Sequence, residues 1–182
     1  RIDNHNKLNT FLTPKFNLKY KINSKSILKL SYGRGKRLSS IFLENLNLFV
    51  SNRKIKILRK NNLSYGLTPE LADNFGINFN YNFRLNKKNA FLTLDFYRTQ
   101  FKNQIIADYE IRNEISFYNS DGKSFSNSYL IEFVYDPIKN LELTLAYKYN
   151  NVKFKYLSGL KRKALNPEDR IFVNLNYNYK DL

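Results

Sequence analysis

The stretch GINFNYNFRLN, Gly76 to Asn86, places an apolar side chain at every second position and an amide or a cation between them. Side chains of a strand alternate between two faces, whereas a helix repeats about every 3.6 residues, so this spacing predicts a strand with one greasy face and one wet face. Phe75, Ile77, Phe79, Tyr81 and Phe83 share the first face; Asn78, Asn80, Asn82 and Arg84 share the second. The pattern recurs along the chain. Phe16, Leu18 and Tyr20 oppose Lys15, Asn17, Lys19 and Lys21, and Leu28, Leu30 and Tyr32 oppose the row of Lys29. Tyr129, Ile131, Phe133 and Tyr135 oppose Glu132 and Asp136; Leu141, Leu143, Leu145, Tyr147 and Tyr149 oppose Glu142, Thr144 and Lys148. Ile171, Val173, Leu175, Tyr177 and Tyr179 face away from Asn174, Asn176 and Asn178. None of these apolar rows carries Lys, Arg, Asp or Glu. Between Ala90 and Asp108 the alternation is interrupted at Arg98, and Phe101 and Ile105 predict a change of face through a bulge.

Short and long connections alternate. NSKS at Asn23 to Ser26, NKKN at Asn86 to Asn89 and PIKN at Pro137 to Asn140 are rich in turn formers and read as tight hairpins. The long connections run from Gly35 to Ala72, Tyr109 to Asn127 and Ser158 to Asp169. In the first, SSIFLENLNLFVSN predicts a short helix capped by Ser39 or Ser40; in the second, NSDG at Asn119 to Gly122 is a turn.

A soluble sandwich also alternates, and strand length and the placement of charge are what distinguish a membrane wall from it. Soluble strands average about 5 or 6 residues, and these rows run to about ten, the length that crosses a bilayer at a tilt. A charge facing lipid at mid-bilayer costs about 2 to 4 kcal/mol, which these apolar rows avoid. Tyr20, Tyr32, Tyr135, Tyr149 and Tyr179 stand late in their rows, as in an aromatic girdle. The predicted fold is therefore all-β: about seven antiparallel transmembrane strands of a larger barrel, with short periplasmic turns and long extracellular loops. In it Phe75, Ile77, Phe79, Tyr81, Phe83, Leu141, Leu143, Leu145 and Tyr147 face lipid, while Asn78, Asn80, Asn82, Arg84, Glu142 and Lys148 face a watery lumen. No run approaches the roughly 18 apolar residues of a membrane-spanning helix.

The net charge of +16 raises a nucleic-acid reading. Asn and Lys, however, make up about a quarter of the 182 residues, and Ile, Phe and Tyr are also abundant, the residue set of A/T-rich codons. The cations are spread through the chain rather than gathered into a phosphate footprint. GRGKR, Gly33 to Arg37, lacks the spacing of a phosphate loop and reads as a strand running out into a loop. Without Cys, and with His5 as the only histidine, neither a common transition-metal site nor a nucleophile-base pair is assembled, and His5 reads as a solvated loop residue. Glu132, Asp136 and Glu142 read as lumen salt-bridge partners of Lys139 or Lys148 rather than an acid/base pair. Asn62-Leu63-Ser64 matches a glycosylation sequon that arises by chance in an Asn-rich chain.

Several blocks in series, RIDNHN, FLTPKFNLKY, LKLSYGRGKR, IFLENLNLFVSNRK, LTPELADNFGINFNYNF, LTLDFYRTQFKNQIIADYE, ISFYNSDGKSFSNSYLIEFVYDPIKNLELTLAYKYNNVK and PEDRIFVNLNY, resemble the TonB-dependent outer-membrane receptors of the Bacteroidetes type. The resemblance covers nearly the whole chain. It implies a barrel of about 22 strands, an N-terminal plug, and active uptake of a scarce nutrient such as a metal chelate or cobalamin. The resemblance makes residues 1–182 a late portion of that barrel, a fragment without plug, TonB box or signal peptide, and no enzyme. Partners implied are outer-membrane lipid, the TonB complex through the missing N-terminal part and an unknown small ligand; no cofactor, metal or nucleic acid is expected. In the family the loop after GRG often folds toward the ligand, making Arg34, Arg37, Glu44, Asn45 and Arg53 the candidate ligand-binding positions, with loop stapling by ion pairs as the alternative. Rival readings are a basic soluble β-domain on single-stranded nucleic acid, a small barrel enzyme acting on lipids, and a truncated receptor remnant without transport.

Overall fold

The computed structural model describes residues 1–5, 9–59 and 64–179. A small hairpin of β1 (Ile2–His5) and β2 (Asn9–Leu12) leads into β3 (Lys15–Lys21) and β4 (Ser26–Arg37). Next come α1 (Ile41–Glu44), α2 (Leu46–Phe49), β5 (Lys54–Ile57), β6 (Glu70–Leu85) and β7 (Lys88–Lys102). The chain continues through β8 (Ile105–Asp108), β9 (Glu114–Asn119), β10 (Phe125–Ile138), β11 (Leu141–Tyr156), β12 (Gly159–Arg162) and β13 (Asp169–Tyr177). His5 belongs to β1 rather than to a loop, because its backbone pairs with Asn9; its side chain, like Asn62 and Leu63 of the sequon, lies outside the described residues.

The large sheet is an antiparallel meander in the order β3-β4-β6-β7-β10-β11, with β12 and β13 sharing the far edge of β11. Neighbours in sequence are neighbours in space because tight turns join them at one end. At Asn86 and Lys87, φ of 49° and 65° puts both central residues in the left-handed region, the geometry of a type I′ turn, whose twist matches that of the strands it joins. Asn140 adopts φ 65° in the turn between β10 and β11. The other end carries the long connections. β6 and β11 reach 16 residues each, or about 50 Å of extended chain.

Unbroken register carries the alternation across the sheet. Leu18, Leu30, Ile77, Phe96, Tyr129 and Tyr149 follow one another as cross-strand partners; so do Tyr20, Leu28, Phe79, Leu94, Ile131, Tyr147 and Ile171. This apolar face is bare: Ile77 is 46 % and Ile131 45 % exposed. Its upper limit shifts along the meander. On β4 and β6 it is the Tyr32–Phe75 pair, on β7, β10 and β11 it is Phe96–Tyr129–Tyr149 one same-face step lower, and on β13 it is Ile171, since Asp169 stands opposite Tyr149. A level apolar belt drawn on tilted strands has this stagger.

The interruption at Arg98 is not a bulge. β7 keeps register with β6 and β10 as far as Lys102 and Gln100 respectively, so Arg98 stays on the apolar side, opposite Phe75 and Asn127. Its guanidinium turns up over the Phe125 ring, 5.3 Å from the centroid, and donates to Asn127 Oδ1 at 3.2 Å. A long side chain that bends its charge toward water removes the need to change face. Phe101 lies on the opposite face of β7, and Ile105 starts a strand of another sheet. The irregularity of the large sheet falls between Tyr135 and Ile138, at Pro137, which has no N–H to give to a ladder.

The one buried apolar cluster among the described residues is built by the long connections. β5 pairs in parallel with β9, and β8 adds antiparallel to β9. On this small sheet Ile115 and Phe117 pack with Ile41 and Leu67, flanked by Phe49, Ile57 and Tyr65; Phe117 stacks on Phe49 at 5.8 Å. The predicted single helix is split at Asn45 into α1 and α2, with Ser40 at the N-cap position but no side-chain capping bond.

Candidate functional site

Two places concentrate polar groups: the polar face of the large sheet and the rim where it meets the long loops. On the polar face, Asn78, Asn80 and Asn82 alternate with the apolar row of β6. Asn78 Nδ2 donates to Asp95 Oδ1 at 2.5 Å, Asn80 Nδ2 to Asn78 Oδ1 at 2.6 Å, and Asn74 Nδ2 to Thr99 Oγ1 at 2.7 Å. The amides form a rail along β6 and β7 instead of waiting for a ligand singly. At the edge of this rail Gly76 faces its partner Tyr97, whose ring occupies the space where a side chain would stand; a Cβ at Gly76 would come within 2.6 Å of it. A recess of about 560 Å³ opens here, lined by Lys15, Asn17, Lys19, Lys29, Ser31, Asn74, Asn78, Asp95 and Tyr97. It offers ammonium, amide, hydroxyl and carboxylate groups to a polar molecule. Lys148 stands opposite Arg170 on the same face, and Glu142 opposite Asn176. The salt bridges foreseen for Glu132, Asp136 and Glu142 with Lys139 or Lys148 do not form among the described residues. Arg84, Lys139 and Glu142 instead border a polar recess at the short-turn end.

At the upper rim the arginines of GRGKR part company. Arg34 faces the apolar side and forks onto Asp73, Nε to Oδ1 at 2.7 Å and Nη2 to Oδ2 at 3.2 Å. Tyr32 donates to the same carboxylate, and Lys102 Nζ lies 3.0 Å from Oδ2. Arg37, on the polar side, reaches Glu70 at 2.6 Å and Glu44 at 3.1 Å. Glu70 is nearly buried and also accepts from the Ser39 hydroxyl and, at 2.8 Å, from the Ile105 amide, so one carboxylate ties the start of β6 to the first long connection and to β8. Glu44 accepts from the Ser40 amide, and Asn45 Nδ2 donates to the Ile41 carbonyl at 2.9 Å. Arg53 is exposed before β5 and takes no part in this network. Thus Arg37, Glu44 and Asn45 staple the first long connection, and Arg34 braces the opposite face.

Reading the alternation missed the groups that receive these cations and amides. Asp73 and Glu70 sit where β6 meets β4, and matching Tyr32 to Phe75 by their rows would have placed Arg34 beside Asp73. Asn119, which the sequence marks only as a turn residue, binds Thr68 through both its amide atoms and also donates to the Asn103 carbonyl. Tyr118 donates to Asp108 at 2.7 Å and accepts from the Leu157 amide; burial, and then Asp108, push its phenol above the usual range. Lys161 and Ser158 grip Glu110 and hold its carboxyl below the usual range. These bonds tie the second long connection to the β11–β12 hairpin.

No curated protein matches the chain. A meandering sheet with one bare apolar face, one amide-lined face, tight turns at one end and interlocked loops at the other is the architecture of a family whose model, TonB dependent receptor-like, beta-barrel, matches residues 1–181. The chain belongs to that family.

Proposed function

We propose that residues 1–182 form a late portion of the barrel wall of an outer-membrane receptor, of the Bacteroidetes type, that imports a scarce nutrient, a metal chelate or a cobalamin-like molecule, at the expense of energy delivered by the TonB complex. Family membership implies an outer-membrane receptor or transporter; the class of nutrient is our reading. In this arrangement Ile77, Phe79, Leu94, Ile131 and Leu145 contact hydrocarbon. The amide rail on β6 and β7 and the recess beside Lys29 line the passage. The observation that carries the reading is the continuous exposed apolar face, which water would penalise at about 25 cal/mol per Å² and lipid would not. A basic soluble β-domain binding single strands would need its aromatics interleaved with cations on one face, whereas on β3, β4 and β6 the register sends the aromatics and Lys15, Lys19, Lys21 and Lys29 to opposite faces, and β7 adds only Phe91, Tyr97 and Phe101 to the polar side.

The 182 residues contain no Cys, so each single substitution places one thiol within them. In outer-membrane vesicles carrying the full-length protein, a charged, water-borne maleimide is expected to modify Asn78→Cys and Asn80→Cys, whose thiols can ionise in water, and to spare Ile77→Cys and Phe79→Cys, whose thiols stay protonated in hydrocarbon. The opposite assignment, or water-borne labelling at all four positions, would overturn the proposal.

A further inference from the structure

At the short-turn end the large sheet splits into two tips. The β7–β10 ladder stops at Ala90–Tyr135, while β7 runs on beside β6 to the Lys88–Leu85 pair and β10 beside β11 to the Ile138–Leu141 pair. Pro137, in the stretch beyond Tyr135, has no N–H to offer either neighbour. A notch of about 590 Å³ opens between the tips, a size that takes a small molecule rather than a protein surface. Arg84, Lys87 and Lys88 line one side, and Asp136, Lys139 and Glu142 the other. Both signs are present, with cations in excess, yet no ion pair forms between them among the described residues. Towards the middle of the sheet the notch adjoins a recess of about 290 Å³, which shares Asn89, Asp136 and Glu142 and adds Phe91 and Val134.

The lining selects the ligand. Arg84 and Glu142 stand in the polar rows of β6 and β11, so the notch opens away from the apolar face and from lipid. A compact polyanion such as phosphate would be opposed by Asp136 and Glu142. A molecule with several carboxylates and an ammonium satisfies both signs: its carboxylates accept from the lysines and Arg84, and its ammonium donates to Asp136 or Glu142. Small aliphatic groups would then lie against Phe91 and Val134. Short turns of a membrane barrel face the periplasm, where the cell-wall stem peptide joins alanine methyl groups, γ-glutamyl and diaminopimelyl carboxylates and a free ammonium. We propose that the notch between the β6–β7 and β10–β11 tips binds this stem peptide and so tethers the barrel wall to peptidoglycan. The inference rests on the outer-membrane reading for which end faces the periplasm and takes nothing from the transported nutrient.

The test uses the full-length protein in a neutral detergent, titrated with a fluorescent muramyl tripeptide, N-acetylmuramyl-L-alanyl-γ-D-glutamyl-diaminopimelate, and read by anisotropy. The triple variant R84Q/K88Q/K139Q is compared with K36Q/K153Q/K155Q, which removes the same charge at the far rim. Each exposed pair is worth about two- to fivefold, so the first variant is expected to bind on the order of tenfold or more weakly and the second as the parent does. D136N/E142Q is also expected to weaken binding, whereas an anion merely attracted to the rim would be held more tightly. N-acetyl-triglutamate, which lacks the ammonium, is expected not to displace the probe. Equal loss in both triple variants, unchanged binding in R84Q/K88Q/K139Q, tighter binding in D136N/E142Q or displacement by the glutamate peptide would each overturn the assignment. Orientation is read separately: a membrane-impermeant maleimide is expected to label Ser24→Cys, in the turn between β3 and β4, only after the outer membrane is permeabilised. Labelling in intact cells would overturn the orientation and the tether with it; no binding by the parent, with labelling confined to permeabilised cells, would overturn the stem-peptide assignment alone.

Discussion

Glu70 shows how one side chain organises the rim. It opens a membrane-length strand, yet its two oxygens serve Arg37 and Ser39 at the exit of β4 and the Ile105 amide at the start of β8. Arg37 is largely exposed, so the ion pair itself is screened and contributes little. The hydroxyl and amide bonds matter more because their donors lie where water does not easily replace the acceptor. Glu70→Gln keeps the shape but turns one acceptor into a donor facing other donors. It is expected to cost about 1–3 kcal/mol locally, seen as faster hydrogen exchange at Ile105 and Ile106 with exchange in the middle of β6 and β7 unchanged. Uniform acceleration along β6 would show that Glu70 supports the sheet rather than the joint.

At the scale of elements, the strands of the large sheet were legible and the small sheet was not. Period-2 rows of ten residues fix both a strand and the face it presents, as at Phe75 to Phe83, and tight turns such as Asn86-Lys87 fix which strand comes next. β5, β8 and β9 are four to six residues long, and β5 finds β9 in parallel across more than fifty positions of sequence; nothing local in Ile55-Lys56-Ile57 or in Ile115-Ser116-Phe117 announces that meeting. Arg98 misled for a related reason. The alternation reports which face a Cα serves, not how far a long side chain travels to reach water. Of the candidate site, the amide rail was visible in the sequence, while the carboxylates that bind Arg34 and Arg37 became visible only through register. The loop elements form a unit with its own core, so it should fail on its own. Phe117→Ala removes a fully buried ring and is expected to destabilise the unit by about 3–5 kcal/mol. Proteolytic cuts are then expected within residues 41–57 and 105–119, while β10 and β11 stay intact. Cleavage of β10 at the same rate would mean that the two sheets are one cooperative structure.

For the whole molecule the decisive property is that its largest apolar surface is on the outside. A soluble protein hides such a surface between layers; here the buried cluster belongs to the loops, and the large sheet has no second layer on its apolar face among the described residues. The stability of the wall then depends on the solvent it meets, and the two faces should answer unequally to the same introduced charge. Leu94 lies mid-belt between Phe79 and Ile131, whereas Asn80, on the adjoining row, faces the polar side beside Thr93. Leu94→Arg is expected to cost about 2–4 kcal/mol for a charge carried to mid-bilayer. Asn80→Arg, adding the same charge to a wet face, is expected to cost well under half of that. Folding titrations of the full-length protein into phosphatidylcholine vesicles measure both. Equal penalties would mean that both faces see the same medium, and the assignment of one to hydrocarbon and the other to water would have to be abandoned.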